Sequence, residues 1–120
     1  MDSILTSIKK MLCLAEGYTQ FDADIIMHIN SVFMTLRQIG IGPAEGFYIE
    51  DKTSEWSELT PDLNKIQAIK TYVFLKVKLL FDPASVGAST LASYERQIQE
   101  LEWRLNMFAE YKSDNVVEDV

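Results

Sequence analysis

Hydrophobic positions recur with a helical period in four stretches of the chain, separated by turn residues. At 100° per residue, the apolar side chains of residues 22–39 collect on one face of a helix. Those side chains belong to Ile25, Ile26, Ile29, Val32, Phe33 and Leu36. We expect Asp22 to cap this second helix, Gly40 to end it and Pro43 to prevent its resumption.

The opposite face of the second helix carries neutral side chains. Between Asp24 and Arg37 the sequence has no formal charge, although a helix face in water normally carries Lys and Glu. Methionines adapt their shape to a partner's surface and are enriched at protein interfaces. The pattern predicts a subunit interface formed by Met27, Asn30, Ser31 and Met34. The alternative is a core wider than the helical wheel assumes, with the methionines buried in their own protomer.

Three further helices follow from the same pattern, over about residues 4–14, 61–81 and 90–111. Ser3 is expected to cap the first, and Thr60 with Pro61 to begin the third. The second half of the third helix is apolar nearly all round, which places it at the centre of the domain. The apolar face of the third helix comprises Ile66, Ile69, Val73, Val77 and Leu80. That of the fourth helix comprises Leu91, Tyr94, Ile98, Leu101, Leu105 and Phe108. Trp103 and Met107 lie outside the apolar face of the fourth helix, so they form a second candidate subunit interface.

Two stretches lack a helical period. Residues 44–60 are expected to form an irregular loop, with a single helical turn at Trp56. Residues 113–120 are expected to form a flexible C-terminal tail. The predicted fold is all-α: a small four-helix bundle-like domain over residues 1–112, with an acidic loop between its second and third helices.

Charge is unevenly distributed along the 120 residues, which carry a net charge of −7. Carboxylates concentrate in the loop and the tail, while the helical body is nearly neutral. This distribution argues against binding to a DNA backbone but permits a surface past which DNA slides. The apolar runs are too short to cross a bilayer, and Met1 begins no signal peptide, so we expect a soluble protein made in a cytoplasm.

The sequence contains few candidate catalytic or metal-binding residues. Cys13 lies among apolar residues and is expected to be a buried thiol. His28, with only Asp24 at helical spacing, is expected to be structural or interfacial and does not make a metal site. The acidic loop lacks the spacing of a calcium loop. We therefore predict no enzymatic activity, no cofactor and no metal; a metal-dependent enzyme using the loop is the least favoured alternative.

Five segments, residues 3–10, 24–33, 40–47, 70–83 and 100–106, together resemble the head–tail connector (adaptor) proteins of long-tailed bacteriophages. The resemblance spans about residues 3–108 and is greatest to versions from phages and prophages of Gram-positive bacteria. It implies a virion subunit that forms a ring, commonly of about twelve copies, beneath the portal. Such a ring extends the DNA channel, lets double-stranded DNA pass without specific binding, and joins a stopper or tail-joining protein. Assembly would take place in the host cytoplasm.

The resemblance also implies roles for particular residues, because a loop and the C-terminal tail of related adaptors contact the portal or stopper. The corresponding candidates are Phe47, Tyr48, Trp56, Val116 and Val117. Candidate channel-facing acids are Glu45, Glu50, Asp51, Glu55 and Glu58. The alternative function is a small helical regulator that binds one partner through its methionine face. We expect no membrane contact.

Overall fold

A computed structural model describes the backbone of residues 3–118 and the side chains of residues 3–109. Five α-helices form this part of the chain: α1 Ile4–Met11, α2 Asp22–Ile39, α3 Trp56–Leu59, α4 Leu63–Phe81 and α5 Ala88–Glu118. A short 3-10 turn separates α4 from α5, and no β-strand occurs within residues 3–118. The all-α prediction is confirmed, and the additional short helix is the turn expected at Trp56.

Helix α4 is the central element, as its sequence predicted, because it packs against α1, α2 and α5. Its buried residues are Ile66, Ile69, Tyr72, Val73, Leu75 and Val77. Leu80 was predicted on the same apolar face but is 48% exposed. It lies in the last turn of α4, where it borders an open cleft between α2, α4 and α5. None of the helices described here is long and apolar enough to span a membrane.

The predicted starts of two helices were wrong. Asp22 is the first residue of α2 rather than its cap, and its Oδ1 lies 2.9 Å from Nζ of the buried Lys9. The Lys9 ammonium also donates to the Glu16 carbonyl at 3.0 Å, so one buried cation joins α1 to the linker and to α2. Helix α4 begins two residues after Pro61, because the Asp62 carboxylate accepts from the Asn64 amide at 2.9 Å.

The α1 boundary places Cys13 in solvent. The helix ends at Met11, Leu12 takes the buried position that follows, and Cys13 adopts a left-handed φ of 64°. The prediction of a buried thiol was therefore wrong: Cys13 is exposed. At the other end of α1 the predicted cap is confirmed, since Ser3 Oγ accepts from the Thr6 amide at 3.2 Å.

Helix α5 continues to Glu118 rather than ending at residue 111. No Gly or Pro follows Gly87 in the sequence, so nothing in the chain stops the helix. The backbone at Val116 and Val117 is helical, whereas their side chains and residues 119–120 lie outside the described part of the chain. The flexible tail and the domain boundary at residue 112 stay predictions.

Candidate interaction surfaces

The two faces of α2 differ sharply in exposure. The predicted core face is buried at Ile25, Ile29, Val32, Phe33 and Leu36. On the other side, the side chains of Met27 and Met34 are 60% and 67% exposed. The core of the protomer therefore does not extend to these methionines, and the wider-core alternative is excluded for this pair.

The acidic loop is fastened to α2 by Asn30. The Asn30 Nδ2 donates to the Ile49 carbonyl at 2.9 Å, and the Ile49 amide donates to Asn30 Oδ1 at 2.8 Å. Ile49 itself is buried in the core. Asn30 was predicted to contact a neighbouring subunit, but its amide is already used within the protomer. Its neighbour Ser31 is exposed.

Fastening the loop creates a groove of about 710 Å³ between the loop and α2, here called the methionine groove. Its lining residues are Ile26, Met27, Asn30, Ser31, Phe33, Met34, Arg37, Glu45, Gly46, Phe47 and Tyr48. The half-buried Phe47 ring packs against Phe33 with ring centres 5.5 Å apart, and Tyr48 is exposed at the rim of the groove. Residues predicted separately as subunit contacts and as portal contacts thus lie on one surface.

Arg37 and Glu45 place opposite charges on this groove, which sequence reasoning did not anticipate. The Arg37 Nε donates to the Ala44 carbonyl at 3.1 Å.

Gly46 has a φ of 94°, and a Cβ at that position would lie 3.4 Å from Arg37 Cδ. The glycines after α2 are the signal that could have shown the chain folding back along the helix.

A second exposed apolar pair lies on α5, where Trp103 is 65% and Met107 is 45% exposed. The buried residues of this helix are Ile98, Leu101 and Leu105. At 100° per residue, Trp103 lies roughly 160° from both Leu101 and Leu105, so it faces away from the core. Trp103 and Met107 are called the α5 knob below; this pair is not buried in its own protomer either.

One contact fixes α5 against α4. The buried Tyr72 hydroxyl donates to Glu102 Oε2 at 2.8 Å, and Lys76 Nζ lies 5.8 Å from the centre of the Tyr72 ring. Burial, followed by the hydrogen bond to Glu102 and its charge, raises the pKa of Tyr72 above its ordinary value. The hydrogen bond joins α4 to α5 at the residue before Trp103.

Trp56 was predicted to contact the portal or stopper, but the folded protomer buries its side chain. The side chain is only 3% exposed, and its indole nitrogen donates to Ser7 Oγ at 2.8 Å. Phe33 packs against the indole with ring centres 6.4 Å apart. Trp56 therefore joins α3 to the core and is not offered to a partner by the folded protomer.

The candidate channel acids occupy different local settings. Glu55 and Glu58 form a reciprocal capping box around α3, in which Glu58 Oε2 accepts from the Glu55 amide at 2.6 Å. Hydrogen bonds from the Thr53 hydroxyl and amide lower the pKa of the exposed Asp51. Glu50 is also exposed, whereas Glu45 lines the methionine groove.

Within the described residues, no three His, Cys, Asp or Glu side chains are grouped closely enough to hold a metal ion. His28 is half-buried on α2.

Comparison with known proteins identifies the family. A family model described as phage connector protein matches residues 4–112. No curated protein and no solved structure matches the chain. The matched region contains the methionine groove, the α5 knob and every helix except the end of α5. Because the match covers most of the sequence, the chain belongs to the phage connector protein family, a family of structural proteins of the virion rather than of enzymes.

Proposed function

We propose that the protein is one subunit of a ring that attaches to the portal and joins the DNA-filled head to the tail. The observation that carries this proposal is the presence of two different exposed apolar surfaces on one small protomer. Copies that meet through one shared surface form closed dimers, whereas copies that meet through two different surfaces form rings or filaments. The methionine groove and the α5 knob supply two such surfaces.

The two surfaces lie on different helices of the protomer, the groove on α2 and the knob on α5. Relative to Ile29, the groove residues Asn30 and Met34 lie roughly 100–140° to one side of α2. Val32 and Thr35 lie roughly 60–120° to the other side, where they border the cleft shared with α4 and α5, and Ser31 lines both the groove and this cleft. This arrangement supports lateral contact between successive copies, and family resemblance favours a ring of about twelve.

The exposed acids support a role in DNA passage. Glu50, Asp51 and Glu58 are exposed on the loop segment, and repetition around a ring would multiply their charge. A negative wall repels phosphate, so double-stranded DNA would pass through the channel without binding. We propose that these acids line the channel and that a stopper or tail-joining protein attaches on the far side of the ring.

Sedimentation velocity and negative-stain imaging of the protein mixed with its purified portal test the proposal. We expect the sedimentation coefficient of the portal to rise and a second ring to appear against it. A protein that remains monomeric or dimeric beside the portal would overturn the proposal. That outcome would favour a helical regulator that binds one partner through the methionine groove.

The C-terminal segment is proposed to contact the portal or stopper through Val116 and Val117, by strand addition to a partner's sheet. Strand addition requires these residues to leave the helical backbone they have in the free protomer. Deletion of residues 113–120 should therefore weaken docking while leaving the free protomer folded. Co-sedimentation with the portal measures docking, and unchanged docking would remove this role from the tail.

A further inference from the structure

We propose that the α5 knob of one copy inserts into the methionine groove of the next copy. The inference rests on the proposed ring and specifies its lateral contact. It also reassigns Phe47 and Tyr48, expected to meet the portal, to the contact between subunits. Fastening of the loop by Asn30 then becomes a requirement for ring formation.

The knob does not reach the groove of its own protomer. Trp103 faces away from the packed face of α5, and that packed face meets α2 and α4. The groove adjoins the cleft that α5 borders, since Ser31 lines both, but no described residue of α5 lines the groove itself. A contact between knob and groove therefore joins two copies. Because the two surfaces differ, an open row of copies has an unfilled groove at one end and an unfilled knob at the other until the ring closes.

The chemistry of the two surfaces is complementary. The groove offers the half-buried Phe47 ring and the exposed thioethers of Met27 and Met34, with the buried Phe33 ring beneath them. Indole rings pack favourably against aromatic edges and against methionine sulfur. Buried tryptophans surrounded by a polar rim are among the residues that contribute most to interfaces. Trp103 on one copy and the groove on another match this arrangement.

Charges beside the two surfaces are also complementary. Glu100 and Arg104 are exposed on α5 within four residues of Trp103 and carry opposite charges. Arg37 and Glu45 are exposed on the groove and also carry opposite charges. In the proposed contact, Glu100 pairs with Arg37 and Arg104 with Glu45. Such pairs fix the orientation of an interface more than they raise its affinity.

Cysteine crosslinking tests the contact without removing the knob. In a Cys13→Ser background, one population carries Ser31→Cys in the groove and a second, differently tagged, carries Asn106→Cys beside the knob. Both positions are exposed, so folding should be retained. We expect the mixed pair to crosslink roughly tenfold more than a control pair of Tyr18→Cys with Asn106→Cys. Both pairs are assayed free at high concentration and on the portal.

Each outcome bears on one of the two proposals. Crosslinks that join only position 31 to 31, or 106 to 106, would overturn the knob-in-groove contact. Rings on the portal with no 31–106 crosslink would overturn it as well while leaving the ring function standing. A 31–106 crosslink in the free protein without portal binding would support the contact and overturn the ring's attachment to the portal.

Charge exchange provides an independent readout. Arg37→Glu should lower the 31–106 crosslink yield roughly tenfold, and addition of Glu100→Arg should restore most of it. Lys10→Glu, which reverses the charge of an exposed residue on α1, should leave the crosslink yield unchanged. Failure of the second substitution to restore crosslinking would overturn the pairing of these two residues.

Discussion

At the scale of single residues, Asn30 shows how one polar side chain shapes a surface. Its amide has the donor and the acceptor of a peptide group, so it pairs with both backbone groups of Ile49. The loop thereby gains the hydrogen bonds that a neighbouring strand would supply. Ile49 is buried at this point, and the groove lined by Phe47 and Tyr48 forms beside it.

Asn30→Ala should remove both bonds and lower the free energy of unfolding by about 1–3 kcal/mol. Urea denaturation measures the loss, and amide hydrogen exchange at Ile49 should accelerate more than exchange in α4. The neighbouring Ser31→Ala provides a control, because Ser31 is exposed and should change stability by less than about 0.5 kcal/mol. Equal stability of the Asn30 and Ser31 variants would contradict the fastening role.

Tyr72 gives a prediction about pH. Its pKa is raised in the folded state above the ordinary 10.0, so the unfolded phenol ionises first as pH rises. The stabilisation is fully present below pH 10 and is lost progressively above it. The wild type should therefore lose stability above about pH 10 more steeply than Tyr72→Phe, by up to about 1.4 kcal/mol per pH unit. Denaturation across pH 8–11 checks this, and parallel curves would contradict the shift.

At the scale of elements, the junction of α2 and α5 depends on one residue. Gly40 ends α2 with a φ of 105°, and a Cβ there would lie 3.0 Å from the Ala109 Cβ on α5. The glycine provides both the left-handed turn and the close approach of the two helices. The same turn directs the chain toward Gly42 and Gly46, and from there along the groove.

Gly40→Ala should lower the free energy of unfolding by about 2 kcal/mol, because a side chain there has an unfavourable φ and crowds Ala109. Gly17→Ala is the matched control, since no atom lies within 4 Å of its Cβ position and its φ is not positive. That variant should be neutral or stabilised by up to about 1 kcal/mol. Thermal and urea unfolding measure both, and an equally tolerant Gly40 would contradict the packing at this junction.

At the scale of the whole molecule, stability and assembly rest on different sets of residues. The buried side chains of α1, α2, α4 and α5 form one core that holds the protomer together. Met27, Met34 and the α5 knob lie outside that core, whereas Phe33 beneath the methionine groove belongs to it. Changes to the exposed side chains of these surfaces should therefore affect partners without unfolding the subunit.

Met34→Lys should place a charge in the methionine groove and prevent ring formation on the portal. Because Met34 is largely exposed, the free energy of unfolding should change by less than about 0.5 kcal/mol. Met11→Lys makes the same substitution at an exposed site on α1 and should assemble normally. Loss of stability in the Met34 variant, or rings that form despite it, would argue against the groove as an assembly surface.

The helices and their core faces could be predicted from the sequence because helical order is local. Side chains three and four positions apart share a face whatever the rest of the chain does, so Ile29, Leu36 and Val73 were placed in the core correctly. The left-handed stop at Gly40 and the exposed positions of Met27 and Met34 follow from the same local rules.

The loop, by contrast, was decided by tertiary structure, because it has no period of its own. Trp56 is positioned by Ser7, 49 residues away, and Ile49 by Asn30, 19 residues away. Contacts over such separations form only when the helices have packed, so neither the burial of Trp56 nor the groove could be predicted from local pattern. The sequence alone determined which helix faces lack charge, and the tertiary structure determined which residues lie beside them.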